Sequence, residues 1–408
     1  MSADMVAIYV PMHTATRLAA QLLPNLRKLN PRAHICCYGL YAPVNEAFLC
    51  KLGAQTILGG EFEEGLVATL KRVRDHGSGQ EVHSQPTISL ARQRFLPPER
   101  ESLPPLDRYA QLVWGDGNSR IAGYTEASRG CKHSCRHCPV VPVYNGIFRI
   151  VQPEIVLEDI RRQVAMGASH ITFGDPDFFN GIRHAVRIVT ALHAEHPAVT
   201  YDATIKVEHL LKHAEFLPAL RDTGCAFVTT AVESLEDDVL LRLDKGHTYE
   251  DFVRALELCR QAGVAVSPTF VAFTPWTTLD SYRRFIAGLQ QLDLADHVAP
   301  IQLGIRLLIP AGSQLLELPE IAGTVGPFDE RALVHPWSNP DPEVDELCAR
   351  VQQIVHEGGK QKAARRQIFQ RVASLAYEAA GAELTGSLES VDRLDRAAIP
   401  YLTEPWYC

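Results

Sequence analysis

Short apolar runs alternate with helix-spaced apolar positions over residues 1–75. The runs predict buried strands at 6–10, 34–38 and 55–58. Apolar residues at helical spacing predict helices at 16–29, 45–52 and 64–74. Three consecutive β-α units indicate an α/β domain with a small parallel, Rossmann-like sheet of the open doubly wound kind. We therefore predict a first domain over residues 1–75.

Beyond this domain the regular pattern is lost and then returns. Residues 76–120 contain two Leu-Pro-Pro sequences and no clear period, so we predict a linker there. Apolar, β-branched runs then predict strands at 121–125, 171–174, 200–206, 227–233, 264–273 and 298–308. Helical spacing predicts helices at 153–167, 181–195, 209–222, 248–262 and 278–292. Six β-α units over 121–310 indicate a parallel partial barrel, because a closed barrel needs eight.

The last part of the chain, residues 311–408, follows a different pattern. Helical spacing at 343–354 and 360–380 predicts a helical C-terminal region, which ends in an irregular aromatic stretch. In barrels of parallel strands the chemistry lies at the carboxyl ends of the strands. Candidate functional residues are therefore sought where each predicted strand ends.

Composition limits the classes of function. The 408 residues are 46% hydrophobic and 22% charged, which excludes a wholly disordered chain. A formal net charge of −8 argues against non-specific nucleic-acid binding, which needs a basic surface. No apolar run reaches the roughly 18 residues that span a bilayer, and the N-terminus lacks the layout of a signal peptide. We predict a cytoplasmic protein whose ten cysteines are thiols or metal ligands.

Three cysteines follow the first predicted barrel strand within eight residues. They occur as Cys131-Lys-His-Ser-Cys135-Arg-His-Cys138, with the spacing C-x3-C-x2-C. Soft thiolates suit iron–sulfur clusters, and three ligands on a four-iron cluster leave one iron open for a substrate or cofactor. The alternative is a structural zinc site in which His133 or His137 is the fourth ligand. The spacing and the position after the strand favour the cluster.

This cysteine spacing, placed after the first strand of a six-unit barrel, resembles the radical SAM superfamily over residues 121–310. The resemblance implies a partial (β/α)6 TIM barrel and a [4Fe–4S] cluster held by the three cysteines. It also implies that S-adenosylmethionine (SAM) binds the open iron through its amino and carboxylate groups and is cleaved to a 5′-deoxyadenosyl radical. His137 stands where the family often has an aromatic residue, and its planar ring could pack in the same way.

The resemblance also implies roles for residues at the end of the second barrel strand. Gly174, Asp175 and Pro176 fit the segment whose carbonyls and acidic group meet the SAM ammonium group. Asp177, which follows, is a candidate to face the substrate. The alternative is an ordinary strand-to-helix turn, since glycine, aspartate and proline are all turn residues.

Charged residues at other strand ends complete the predicted site. Glu233 is the candidate ligand of the ribose hydroxyls, because a carboxylate accepts two hydrogen bonds. Lys206 and Lys245 could pair with the SAM carboxylate. Arg306, if it faces the barrel interior, needs an anionic partner such as SAM or substrate. The alternative for each cation is a solvated or salt-bridged side chain.

Two histidines and the scattered cysteines complete the search for metal ligands. His209 and His213 have i,i+4 spacing, which suits either a metal site or a plain helix face. The remaining internal cysteines are predicted to be buried thiols: Cys36, Cys37, Cys50, Cys225, Cys259 and Cys348.

A Rossmann-like domain before such a barrel resembles the arrangement of cobalamin-dependent radical SAM enzymes. That group often carries the lower-ligand motif D-x-H-x-x-G after the first strand, and the comparable residues here are Pro11, His13 and Thr16. Only the histidine is present. Cobalamin as a further cofactor, and a domain that binds nothing and covers the barrel, both remain open.

A narrower resemblance rests on three stretches. Tyr124–Cys131, Phe173–Gly181 and Glu404–Cys408 resemble radical SAM proteins with a CUAEP or CCAEP tail, in which a cysteine precedes selenocysteine or a second cysteine. Such a pair would be a soft-metal or redox group, so Cys408 is a candidate functional residue. The alternatives are a UGA codon read as a stop, a truncated tail, and an ordinary terminal cysteine.

The sequence thus predicts a radical SAM enzyme that modifies a small molecule or peptide, with cobalamin-dependent methyl transfer as one outcome. It would need an electron donor such as flavodoxin or ferredoxin, and neither a membrane nor a nucleic acid is expected as a partner. A second hypothesis is a methylthiotransferase-like enzyme acting on tRNA or a ribosomal protein, although Cys36, Cys37 and Cys50 lack the dispersed spacing of a second cluster. A third is a non-catalytic metal-binding scaffold.

Overall fold

The computed structural model describes residues 3–76, 87–114, 117–383 and 399–404. A first sheet contains parallel strands β1 (Met5–Tyr9), β2 (His34–Tyr38), β3 (Thr56–Gly60) and β4 (Ile88–Ser89). The strands lie in consecutive order, so the described sheet lacks the reversal of strand order that defines a doubly wound sheet. The domain is Rossmann-like in its parallel β-α units, but the prediction of double winding is corrected. Strand β4 falls inside the predicted linker.

Four helices accompany the first sheet: α1 (His13–Leu29), α2 (Tyr41–Val44), α3 (Glu46–Lys51) and α4 (Glu63–His76). Helix α1 continues through Pro24 instead of ending there, and its apolar face packs on the sheet through Leu23. Val10, Ile35 and Leu49 are fully buried in the same core. Burial of Leu23 against this core, worth roughly 1.5–3 kcal/mol, stabilises a helix that Pro24 would otherwise weaken.

A second, larger sheet forms the barrel. It contains β5 (Gln111–Val113), β6 (Ser119–Thr125), β9 (His170–Phe173), β10 (Thr200–Thr204), β11 (Cys225–Glu233), β12 (Val266–Phe270) and β13 (Tyr401–Leu402), and a short hairpin contains β7 (Ser128–Gly130) and β8 (Phe148–Ile150). Strands β6, β9, β10, β11 and β12 are parallel neighbours, whereas β5 and β13 add antiparallel strands at the β6 edge. The sheet therefore curls into a partial barrel whose carboxyl ends share one side.

The sixth predicted barrel strand, 298–308, is not a strand. Its first part forms a 3-10 turn at Pro300–Leu303, and only a single parallel bridge joins Arg306 to Phe273. Proline has no N–H to donate to a ladder. The side chain of Gln302 accepts the Phe270 N–H at 2.8 Å in place of a neighbouring strand. The barrel sheet thus ends at β12.

The barrel and the C-terminal region contain the remaining helices: α5 (Val141–Tyr144), α6 (Pro153–Ala165), α7 (Ile182–Glu195), α8 (Val207–Lys212), α9 (Leu217–Asp222), α10 (Asp237–Arg242), α11 (Tyr249–Ala262), α12 (Leu279–Gln291), α13 (Pro342–Lys360) and α14 (Arg365–Ala379). The predicted helix 209–222 is split into α8 and α9, because Pro218 begins a new helix at its first turn. Thr248 and Thr278 cap α11 and α12 through capping boxes.

One continuous core joins the barrel to the C-terminal helices. Ile171, Tyr201 and Val228 from the strands share it with Val351 and Phe369 from α13 and α14. These side chains are almost completely buried. Among the helices of the described ranges, none has the length and apolar character needed to cross a bilayer.

Candidate active site

The three motif cysteines lie on the loop that leaves hairpin strand β7. Gly130 has a φ of 75° and packs against the ring of Tyr144, so a side chain there would collide with that ring. The loop then turns back on itself, with the Cys138 N–H donating to the Cys135 carbonyl at 3.0 Å. The Arg136 N–H donates to the Leu243 carbonyl at 3.0 Å and fixes the loop to the segment after α10.

The donors on this loop fit an iron–sulfur cluster. Burial raises the pKa of Cys131 to about 11 and that of Cys138 to about 12, so in the metal-free protein they are neutral thiols that iron binding must deprotonate. Lys206 acts against this rise at Cys131, and Lys245 does so at Cys138. Two buried ammonium groups thus face the thiol loop, where they would offset the charge of a thiolate-bound cluster.

At the end of β9 the structure assigns Asp175 a different role from the predicted one. Its carboxylate accepts the Ala127 N–H at 2.9 Å and the Ser128 hydroxyl at 2.5 Å, and it is 2% exposed. Burial raises the pKa of Asp175 to about 7. The side chain therefore holds the segment before the cysteine loop and does not face a SAM ammonium group, which corrects that expectation.

The neighbours of Asp175 set the shape of this strand end. Gly174 lies directly under the side chain of Tyr124, and a Cβ there would collide with the phenol ring. Only a glycine allows this close approach. The carbonyls of the Gly174–Pro176 segment, rather than its acidic side chain, remain the candidates for a SAM contact.

Asp177 does not face an open substrate space, which corrects a second expectation. It is 1% exposed and caps a 3-10 turn by accepting the Phe179 N–H at 3.1 Å. Its Oδ2 lies 2.6 Å from His209 Nδ1 and 3.6 Å from His133 Nε2. Burial alone would raise the pKa of Asp177, but the two histidines outweigh burial and hold it below its ordinary value.

Glu233, His137 and Lys245 are brought together beside the cysteine loop. Glu233 Oε1 lies 3.2 Å from His137 Nε2 and 3.3 Å from Lys245 Nζ. Burial opposes ionisation of the carboxyl group, yet Lys245 and His137 lower the pKa of Glu233 to about 2. Burial alone would lower the pKa of Lys245, and the negative charge of Glu233 reverses this and raises it. The cysteine loop therefore contacts a fully charged, buried pair.

Lys206 pairs with Glu208, which lines a cavity that the sequence analysis did not identify. Its Nζ lies 3.4 Å from Glu208 Oε2 at the start of α8. A cavity of about 390 Å³ between α8 and α11 is lined by Glu208, Leu211, Lys212, Gly246, His247, Asp251 and Arg254. His247 is 6% exposed and follows Lys245 by two positions. A lone histidine before a helix carried no distinguishing signal in the sequence.

Arg306 is not part of this site, which corrects a third expectation. Its Nη1 lies 2.7 Å from Asp345 Oδ1, and its Nη2 donates to the Trp337 carbonyl at 2.6 Å. The guanidinium also stacks 3.7 Å from the centre of the Trp337 ring. Its anionic partner is therefore part of the C-terminal region. The other predicted catalytic residue, Cys408, lies outside the described residues.

The carboxyl end of the first sheet presents aromatic rings toward the barrel. Tyr38 lies between Tyr9 and Phe62, with ring centres 5.2 and 4.9 Å away. Tyr9 is 49% exposed and Tyr124 of the barrel 43%, although burial raises the pKa of both phenols. Both tyrosine side chains therefore pack against neighbouring groups and still meet solvent. His13, the one residue that matches the D-x-H-x-x-G pattern, donates from Nε2 to the Ala332 carbonyl at 2.7 Å.

Arg129 joins the two domains next to the cysteine loop. Its guanidinium contacts Glu63 of the first domain at 2.5 Å and Glu126 of the barrel at 2.9 Å. Glu61 lies 3.9 Å away, and the Glu61 side chain is 0% exposed. The ring of Phe62 packs on the guanidinium at 5.3 Å. One partly buried cation therefore pairs with carboxylates from both sides of the domain interface.

Comparison with known proteins agrees with this geometry. The sequence model of the radical SAM superfamily matches residues 125–280. The chain is 25% identical over 206 residues to a tRNA-2-methylthio-N(6)-dimethylallyladenosine synthase of Desulfosudis oleivorans, covering 47% of this chain and 42% of that protein. It is 26% identical over 151 residues to the hopanoid C-3 methylase of Methylococcus capsulatus, covering 37% and 29%. The chain thus spans less than half the length of these curated relatives.

Solved structures match nearly the whole chain. The cobalamin-dependent SAM radical enzyme OxsB superposes with a TM-score of 0.66 at 15% identity, covering 93% of this chain and 63% of that chain. The radical SAM methyltransferase TsrM from Kitasatospora setae superposes with a TM-score of 0.61 at 16% identity, covering 86% and 78%. Residues 125–280 are a radical SAM domain. The predicted fold class, a Rossmann-like domain, a partial TIM barrel and a helical C-terminal region, is confirmed.

Proposed function

We propose that this protein is a radical SAM enzyme that binds a [4Fe–4S] cluster through Cys131, Cys135 and Cys138 and modifies a small molecule or peptide. One observation carries the proposal. Three thiols of a single loop lie at the carboxyl ends of a parallel partial barrel, and two buried lysines face them. A structural zinc site would not require paired cations beside its thiolates.

The surrounding residues have distinct proposed tasks. A [4Fe–4S] cluster held by Cys131, Cys135 and Cys138 would supply the one-electron reducing power that homolytic cleavage of SAM requires. Lys206 and Lys245 are proposed to bind the SAM carboxylate, and the carbonyls of the Gly174–Pro176 segment its ammonium group. Glu233 is proposed to accept hydrogen bonds from the ribose, with His137 orienting its carboxylate at 3.2 Å. Lys206 and Lys245 are 7% and 3% exposed, and burial of this kind limits the water that can reach a radical.

Anaerobic reconstitution tests this function. The protein is incubated with iron and sulfide, then with dithionite and SAM, and 5′-deoxyadenosine is measured by chromatography. We expect about four irons per chain and steady 5′-deoxyadenosine formation. Cys135→Ala should lose both, whereas Cys50→Ala, which alters an exposed thiol of the first domain, should keep both. Iron binding without SAM cleavage would refute the proposal.

We further propose that the first domain binds cobalamin and that the reaction is a methyl transfer. Two observations support this: the likeness in fold to OxsB over 93% of the chain, and the aromatic platform of Tyr9, Tyr38 and Phe62 at the carboxyl end of the sheet. A flat corrin ring fits such a platform, and bound cobalamin would supply the methyl carrier. His13 is engaged elsewhere, so no histidine ligand is proposed.

Retention of hydroxocobalamin after gel filtration, read from its visible spectrum, tests this second cofactor. Tyr9→Ala should reduce retention because it removes part of the platform, whereas Leu29→Ala alters an exposed residue at the end of α1 and should not. If the wild-type protein retains no corrin, methyl transfer through cobalamin is rejected while the radical SAM assignment stands.

A methylthiotransferase-like function is the second candidate, because of the relative in Desulfosudis oleivorans. The positions of the first-domain cysteines argue against a second iron–sulfur cluster. Cys36 and Cys37 are neighbours on β2 and point to opposite faces of the sheet, and both are fully buried. Burial raises the pKa of each to about 12. About eight irons per reconstituted chain, instead of about four, would favour this function.

We also propose a cytoplasmic setting, with flavodoxin or ferredoxin as the electron donor. Every cysteine in the described ranges is a free thiol, as expected in a reducing compartment. The resemblance of three sequence stretches to radical SAM proteins with a CUAEP or CCAEP tail supports a role for Cys408 in catalysis. Cys408→Ser should then slow product formation while leaving 5′-deoxyadenosine formation without substrate unchanged.

A further inference from the structure

Four side chains of metal-binding type converge beside the first motif cysteine. The ligand atoms of Cys131, His133 and Asp177 all lie within 4.8 Å of one another. His209 Nδ1, from α8, is 2.6 Å from Asp177 Oδ2. The rings of His133 and His209 lie 4.9 Å apart between their centres. These residues come from three different strand ends, so the fold itself brings them together.

Three polar atoms of this group are buried without a hydrogen bond. Within the described part of the chain, His133 Nε2, Asp177 Oδ2 and His209 Nδ1 have no partner at hydrogen-bond geometry. The contact between Asp177 and His209 is close enough for a hydrogen bond but lacks the required angle. Leaving such an atom unsatisfied is unfavourable, because it has lost its hydrogen bonds to water and gained none in the protein. Unsatisfied buried groups at one point indicate a missing ion or ligand.

We propose that Cys131, His133, Asp177 and His209 bind one divalent transition-metal ion, of the zinc class, when the iron–sulfur cluster is not assembled. The donors are one thiolate, two imidazole nitrogens and one carboxylate oxygen. Zinc takes four such ligands tetrahedrally at about 2.0–2.3 Å. Calcium and magnesium require oxygen ligands and do not suit this set. One ion would contact all three of these atoms once the 2.6 Å contact between Asp177 Oδ2 and His209 Nδ1 widens to about 3.3 Å, the separation of two tetrahedral zinc ligands.

The site shares only one ligand with the proposed cluster. Cys131 belongs to both, whereas Cys135 and Cys138 lie nearer to Lys245 and take no part. If zinc takes the Cys131 thiolate, the cluster is left with two of its three cysteine ligands. The two metal states therefore exclude one another, and zinc bound here would delay cluster assembly. His133 and His209 distinguish the states, because neither is needed for the three-cysteine cluster.

Cobalt(II) titration of the cluster-free, reduced full-length protein tests the site. Tetrahedral cobalt with one thiolate ligand gives intense visible bands and a sulfur-to-cobalt band in the near ultraviolet, whereas octahedral cobalt gives weak bands. We expect the tetrahedral spectrum at one cobalt per chain, and its displacement by zinc. His209→Ala and His133→Ala should each lose the intense bands. His213→Ala, whose ring lies 5.6 Å from that of His209, is the matched control and should keep them.

Cluster assembly in the same variants separates this proposal from the proposed function. His209→Ala should still take up about four irons per chain, because the three cysteines are intact. One equivalent of zinc should slow cluster assembly in the wild-type protein and not in His209→Ala. Intense cobalt bands that persist in both histidine variants would overturn the proposal, as would octahedral bands in the wild-type protein. Should His209→Ala fail to fold, judged by circular dichroism, His133→Ala on the loop decides alone.

Discussion

At the scale of single residues, Glu233 has two energetically unfavourable features, a strained backbone conformation and a buried charge. Its φ of 71° is rare for a residue with a side chain, and its carboxylate is ionised in a buried place. Such conformations persist where the surroundings fix them, and they concentrate at functional sites. Here the surroundings are Lys245 and His137, which lie within 3.3 Å. Lys245 and His137 thus fix the Glu233 carboxylate in place, as the proposed ribose contact requires.

Removal of Lys245 should destabilise the protein. Lys245→Met leaves the Glu233 carboxylate buried with one fewer cation, and breaking a buried pair in this way costs about 3–5 kcal/mol. The double variant Lys245→Met with Glu233→Gln should recover most of that loss, because no unpaired charge remains. Urea unfolding followed by circular dichroism measures both. Equal loss in the single and double variants would contradict the pairing.

His247 should make stability depend on pH. Burial, reinforced by Lys245 and Lys206, lowers the pKa of His247 from 6.5 to about 4. Between these two pH values the unfolded chain binds the proton and the folded chain does not, so the free energy of unfolding falls as pH falls from 6.5 to 4. The decline due to this residue is about 3 kcal/mol.

His247→Gln should remove that decline. Compared with the variant, the wild-type protein should lose stability progressively on acidification through this window, and the difference should level off below pH 4. Thermal unfolding midpoints at several pH values measure it. Parallel pH profiles for the two proteins would show that His247 does not carry the effect.

At the scale of elements, the cysteine loop depends on the close packing of β7 against α5. Gly130 has positive φ and no room for a side chain, because the Tyr144 ring and the Ile147 carbonyl oxygen already occupy that space. Gly146 has the same φ of 75°, but a Cβ there would meet only the Lys132 carbonyl oxygen at 3.5 Å. Substitution of Gly146 therefore introduces backbone strain alone, whereas substitution of Gly130 introduces the same strain together with a steric clash.

Gly130→Ala should displace the cysteine loop and reduce the iron content after reconstitution well below half of the wild-type value. Gly146→Ala should cost only the strain of a left-handed alanine, about 1–2 kcal/mol, and keep its iron. Iron and sulfide assays on both variants compare them directly. Similar iron loss in both would mean that backbone strain, and not the contact with Tyr144, controls the loop.

The sequence predicts well what depends on near neighbours in the chain. The cysteine motif lies within eight residues, and five of the six barrel strands follow local runs of apolar residues. Sequence-based prediction fails where a side chain has its partner far away along the chain. Arg306 pairs with Asp345, which is 39 positions away, and Asp175 accepts from Ser128, 47 positions away. The sixth predicted strand was wrong for the same reason. The Gln302 side chain, 32 positions away, accepts the Phe270 N–H that a neighbouring strand would otherwise bind.

At the scale of the whole molecule, Arg129 holds the first domain against the barrel. Arg129→Met should leave Glu61, which is fully buried, without its cation at a cost of about 3–5 kcal/mol. Hydrogen exchange should become faster in β1–β3 while β9–β11 remain protected. Lys51→Ala, which breaks an exposed ion pair with Glu330, should change exchange little because such pairs contribute about 0–1 kcal/mol. Uniformly faster exchange in both sheets would refute an interface role.

The antiparallel edge of the barrel sheet has a consequence for biosynthesis. The Gln111 N–H donates to Thr403 Oγ1 at 3.0 Å, across 292 positions, and β13 pairs with β5 at the same edge. At 5–20 residues per second a ribosome needs roughly 15–60 s to synthesise the residues between them. During that interval β5 is an unpaired edge strand, and it can form hydrogen bonds with strands of other protein molecules. We therefore expect chaperones to bind the newly synthesised chain until residue 401 has left the ribosome.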